Sequence, residues 1–169
     1  MSNQLAPKLL VEFVGTFTFV FIGAGAAAII GGGAGLAGMG AVAFAHGLAI
    51  MALAFAYGSV SGGHFNPAVT VGVLLAGAMR TGEAVGYIVS QLVAGIIAAL
   101  VLRLVLGGTA TGLGTPTLAN DLAVGAMTLT ITPLAGFVIE ALLAFFLVTV
   151  VLSTAVAVAP ATLRRWPSA

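Results

Sequence analysis

Charge is the scarcest property of this chain. Only 5% of its 169 residues are charged and 61% are hydrophobic, whereas a soluble domain carries about 25% charged residues. Water cannot clothe such a surface, so most of the chain must face lipid or other apolar helices. Five cations against four anions leave a formal net charge of +1, with no basic patch of the kind that tracks phosphates, so nucleic acid is not an expected partner. Cysteine is absent, which excludes disulfides and thiolate metal sites. The only histidines are His46 and His64. With no His–Glu spacing suited to a metal, no close carboxylate pair and no cysteine nucleophile, neither a cofactor nor enzyme chemistry is expected. Glu12 interrupts what would be the apolar region of a signal peptide, so the first apolar run reads as a retained helix.

Four apolar stretches reach the length of about 20 residues needed to cross a bilayer: Lys8 to Ile30, Gly40 to Ser59, Ala84 to Leu106 and Leu134 to Val158. The expected class is therefore an all-α membrane protein with four transmembrane helices, organised as one domain over 1–169. A fifth stretch, Pro67 to Gly77, spans about 16 Å as a helix, half the hydrocarbon thickness. It can enter the membrane but not cross it. Loops are marked by Gly31-Gly32-Gly33, by Met79-Arg80-Thr81-Gly82 and by the Gly- and Thr-rich segment Gly107 to Pro133. An inside N-terminus puts Lys8, Arg80, Arg164 and Arg165 in the cytoplasm and only Arg103 outside, which sets the orientation. Small residues four apart, Ala41, Ala45 and Ala49, then Gly82 and Gly86, favour close helix packing in lipid. Glu12 precedes Phe17 by five positions, as Glu140 precedes Phe145. That echo suggests two repeats, the first over about 8–106 and a second beginning near Leu134.

The stretch Ser61-Gly62-Gly63-His64-Phe65-Asn66-Pro67-Ala68-Val69-Thr70 reads as loop backbone leading into a capped helix. Asn66 suits the N-cap and Pro67 the first helical position. A half-length helix whose far end meets the polar turn at Arg80 has its N-terminus near the bilayer midplane, where irregular backbone is tolerated only beside protein or water. Capping Ala68 or Val69 with its oxygen leaves the Asn66 NH₂ free to donate to water in a lumen. The helix N-terminus adds a positive partial charge of roughly half a unit, which repels cations and disfavours a proton wire. Carbonyls of Gly62, Gly63, His64 and Phe65 form a candidate ladder of acceptors. Such chemistry suits permeation.

These ten residues resemble the first signature loop of the aquaporin (major intrinsic protein) family. The resemblance extends to Glu12 before Gly15-Thr16-Phe17, to the second helix, to Gly86-Tyr87 through Gln91 and to the helix of Glu140. It implies a right-handed bundle, here incomplete, with Asn66 the first of two pore asparagines and with Glu12 and Glu140 each bracing a pore-loop backbone. His46, 20 residues before Asn66, matches the family's second-helix filter position. Its helical offset from Gly40, about 9 Å, independently puts it between the outer surface and the midplane. Histidine there resembles the plant tonoplast subfamily and some bacterial members, which pass water and in some cases ammonia. A homotetramer in the cell membrane is implied. The family has six spanning helices and two half-helices, so the chain reads as a truncated one, without the second Asn-Pro-Ala turn, the arginine after it and the fifth-helix filter residue.

Plainer readings stand beside these. Asn-Pro is an ordinary helix start in most proteins, and a lone histidine among apolar residues is commonly a hydrogen-bonded interior side chain. His64 is expected to donate to a neighbouring carboxylate and stiffen the loop. Phenylalanines 13, 17, 19 and 21 read as lipid-facing or core. The alternative to a channel is a non-conducting membrane scaffold or partner subunit, which leaves the Asn66 turn unexplained.

Overall fold

The computed structural model describes residues 5–30 and 35–156. The loop expected at Gly31-Gly32-Gly33 lies outside the described residues, as do Arg164 and Arg165. Four long apolar helices are present: α1 (Leu5–Ile30), α2 (Gly35–Ser61), α4 (Thr81–Val105) and α5 (Pro133–Val151), the last continued by a π-helical turn, Leu152–Val156. Between α2 and α4 lies the short α3 (Pro67–Leu75). The architecture is that of an all-α membrane protein.

Contacts fix how the helices run. Lys8 Nζ pairs with Glu83 Oε1 at 2.7 Å, Ser90 Oγ donates to the Leu9 carbonyl at 2.8 Å, and Leu102 packs against Gly25. Residue numbers rise together, so α1 and α4 are parallel. Against α2 they run in opposition, since Glu12 meets Ser61 and Gly23 meets His46. Thus α2 crosses back and α4 crosses again. The face where α1 and α4 begin is called the near face below, and the other the far face. Between the end of α2 and the start of α4 on the near face, α3 has only nine residues, about 14 Å of helix. It re-enters rather than spans.

Local sequence explains these boundaries. Ser61 is followed by Gly62 and Gly63 at φ +91 and +65, values that stop a right-handed helix and that glycine adopts without steric cost. At the end of α3, Gly77 donates to the Leu74 carbonyl and Ala78 to Val73, a Schellman closure needing positive φ at Gly77. Of the small residues expected to bring backbones together, Gly86 receives the Leu9 side chain, whereas Gly82 faces open space. Gly72 of α3 receives Val148, the seat of α5 on the half-helix. No residue of α5 is buried.

The segment from 107 to 132 is more structured than its Gly- and Thr-rich composition suggests. It holds a 3-10 turn, Gly112–Gly114, and a hairpin of β1 (Leu122–Val124) and β2 (Met127–Leu129). Val124 pairs with Met127 across Gly125-Ala126, and Gly125 supplies the positive φ of +62 that two-residue hairpin turns require.

Candidate functional site

The buried polar groups converge on the Ser61–Thr70 stretch, and Glu12 is their centre. Its carboxylate is wholly buried and takes four hydrogen bonds. Oε1 accepts from Ser61 Oγ at 2.6 Å and the His64 N–H at 3.0 Å. Oε2 accepts from the Phe65 N–H at 2.7 Å and Gln91 Nε2 at 2.8 Å. A buried charge is tolerable only when so many donors replace its water. The same bonds restrain the loop, because two of the four donors are loop backbone.

A second tier holds the first. Gln91 Nε2 spends its other proton on Thr70 Oγ1 at 3.0 Å, and His64 Nδ1 lies 3.1 Å from the same hydroxyl. The partner of the His64 ring is therefore a hydroxyl and not the carboxylate expected from sequence. Glu12 is saturated by other donors and reaches His64 through its backbone. Tyr87 donates to the Ser61 carbonyl at 2.7 Å and packs edge-on against His64, with ring centroids 5.2 Å apart.

Phe65 has φ +48, a left-handed conformation that costs a non-glycine residue roughly 1–2 kcal/mol. The conformation persists because its N–H is held by Glu12 and its buried ring fills the space where Gly15 has no side chain. Gly15 stands about 15 Å along a helix about 39 Å long, so α1 delivers the turn close to mid-span. Asn66 caps α3, its Oδ1 accepting from the Ala68 N–H at 2.8 Å, with Pro67 at the first helical position. Among the described residues, Asn66 Nδ2 donates to nothing and the carbonyls of Gly62, Gly63, His64 and Phe65 accept nothing. Asn66 and Pro67 are half-buried and Ala68 exposed. The arrangement thus presents unpaired donors and acceptors at the N-terminus of a re-entrant helix, suited to hydrogen-bonding a small polar molecule.

His46 stands apart from this cluster. Nδ1 bonds the Val42 carbonyl at 2.9 Å, the ring meets Phe19 edge-on at 5.5 Å, and it fills the space left by Gly23. Gly23 is eight residues beyond Gly15, so α1 sets His46 about 12 Å from the turn, toward the far face. Glu140 is exposed on α5 and makes no hydrogen bond among the described residues; no second re-entrant loop lies among them for it to brace. No group of three metal-ligating side chains occurs among the described residues.

Sequence reasoning gave no role to Gln91, Thr70, Tyr87, Gly15 or Gly23. An amide inside an apolar spanning run is the signal that points to Gln91. The two glycines carry a weaker one, since glycine costs about 1 kcal/mol in a helix interior and needs a reason to be there.

The chain matches known proteins along most of its length. The model of the family described as Major intrinsic protein matches residues 1–163. A Brucella melitensis protein named Aquaporin Z is 36% identical over 159 residues, covering 91% of this chain and 68% of that relative. Aquaporin Z of Photorhabdus laumondii is 38% identical over 85 residues, and Glycerol uptake facilitator protein-like 6 of Lactiplantibacillus plantarum is 38% identical over 84. Each of those two matches covers 50% of this chain and 37% of the relative, so the chain spans well under two thirds of their length. The family match, the four apolar helices and the capped re-entrant turn agree, and the chain belongs to the major intrinsic protein family.

Proposed function

We propose that the chain contributes one pore half to a passive, non-enzymatic channel for water, with ammonia as a second small neutral permeant. The observation that carries this reading is the turn itself: Asn66 sits near mid-span with its amide donors unpaired, while a buried carboxylate fixes the backbone before it. Asn66 donates to passing water, Pro67 and Ala68 start the helix whose dipole repels cations, and the carbonyls of Gly62, Gly63, His64 and Phe65 accept from water in file. His46 acts as the filter residue farther out. A ring there narrows the path and favours water over the larger solute named for the Lactiplantibacillus relative. Glu12 is the brace of this turn, and Glu140 is assigned the same task for a second, oppositely directed turn. We place the protein in the cell membrane as a multi-pass homotetramer with its N-terminus in the cytoplasm, consistent with Lys8 and Arg80 on the near face.

The test is stopped-flow shrinkage of vesicles containing the purified chain. Loaded vesicles should shrink faster than empty ones, and Asn66→Asp should admit monovalent cations by placing a negative charge at the turn. Equal rates in loaded and empty vesicles contradict conduction and leave the scaffold reading.

A further inference from the structure

The turn Gly112–Gly114 holds three consecutive residues of positive φ, with a leucine at its centre. Gly112, Leu113 and Gly114 have φ of +66, +52 and +68, left-handed backbone that the two glycines adopt freely and that strains the leucine between them. Strain of this kind persists only where the surroundings over-determine the conformation. Here Thr111 Oγ1 accepts from the Leu113 N–H at 3.3 Å, and the Gly112 carbonyl accepts from both the N–H and the hydroxyl of Thr115, at 3.0 and 2.8 Å. The turn packs on α1 and α4. A Cβ on Gly114 would overlap the carbonyl oxygen of Ala24. Backbone therefore meets backbone, and no side-chain rotation can make room.

Where that seat lies matters more than its tightness. Ala24 is flanked by Gly23, against which His46 rests, and by Gly25, whose missing side chain admits Leu102 at 3.1 Å from an added Cβ. Three consecutive residues of α1 thus touch α2, the turn and α4. Displacing α1 at Ala24 shifts the wall that His46 packs on, because the packed interior transmits a local shift rather than absorbing it. We propose that the turn is a strap that holds the far third of α1 in place, making Gly114 a positioning residue for His46 although the two do not touch. The inference rests on the reading of His46 as a pore residue.

The absence of cysteine makes the test clean. A single thiol is introduced as His46→Cys, and its modification by a membrane-impermeant, negatively charged thiol reagent, which the positive helix N-terminus does not repel, is timed in vesicles with the reagent on either side. Gly114→Ala and Gly107→Ala are then compared in that background. Gly107 has φ +70 and nothing within 4 Å of an added Cβ, so both variants carry the same backbone strain but only one loses its seat. The expected result is a modification rate changed by about threefold to tenfold for Gly114→Ala, the size of effect carried by packed contacts, with Gly107→Ala unchanged. Leu113→Gly, which loosens the turn without a steric overlap, should change the rate in the same direction by less, and serves if Gly114→Ala does not fold. Equal rates in all backgrounds overturn the strap while leaving His46 in the pore. A thiol unreachable from either side in every background overturns the pore reading of His46 itself.

Discussion

Glu12 and Glu140 occupy similar apolar helices, each five residues before a phenylalanine, yet the structure treats them oppositely. Glu12 is buried and receives four donors from three separate segments. Glu140 is exposed on a helix that buries nothing. Glu12 is a brace because a loop turns its N–H groups toward it, and no such loop meets Glu140 among the described residues. The residues 61–65 turn this way because Gly62 and Gly63 bend the chain out of α2 and Phe65 accepts a left-handed φ.

The comparison is broken most directly by removing each acid in turn. Glu12→Leu strands four buried donors, each costing about 1–3 kcal/mol, and should abolish a monodisperse folded species in detergent. Glu140→Leu should leave thermal stability unchanged or raise it. Equal losses from both would sink the contrast. Next in size is Gln91→Leu, which removes a donor to the Glu12 carboxylate and leaves Thr70 one bond poorer. A loss of roughly 2–3 kcal/mol is expected, as for other hydrogen bonds to charged groups, read as a lowered unfolding temperature. Gly15→Ala puts a methyl into the Phe65 ring and should cost about 1–3 kcal/mol. Phe65→Ala should cancel much of that penalty in the double variant, and strict additivity would show that the two residues do not touch. The smallest effect belongs to Asn66→Ala, which loses an N-cap worth about 1 kcal/mol while altering permeation far more than stability.

What the sequence disclosed follows from the range of the interactions involved. Spanning helices are written in contiguous apolar runs, and the cap at Asn66-Pro67 is a local bond between neighbours, so both were legible. Gln91 meets Glu12 across 79 positions and Phe65 meets Gly15 across 50; such contacts exist only once the helices have packed. The hairpin at 122–129 was hidden because its strands are three residues long, too short for alternation to show. The part that the family resemblance implies for Glu140 depends on a second re-entrant turn, and no such turn lies among the described residues.

The central claim is that the Asn66 turn faces a polar path within the membrane and not lipid. In this cysteine-free chain, Ala68→Cys tests it without requiring that the chain conduct. A small uncharged alkylating reagent that reacts only with a hydrated thiolate should modify that thiol in vesicles, whereas Phe55→Cys should be inert. Phe55 is 87% exposed and lies nine residues from His46, about 180° around α2, on the face turned away from it. Reaction at position 68 with none at 55 is the predicted result; an unreactive thiol at 68 in a folded chain would contradict the account.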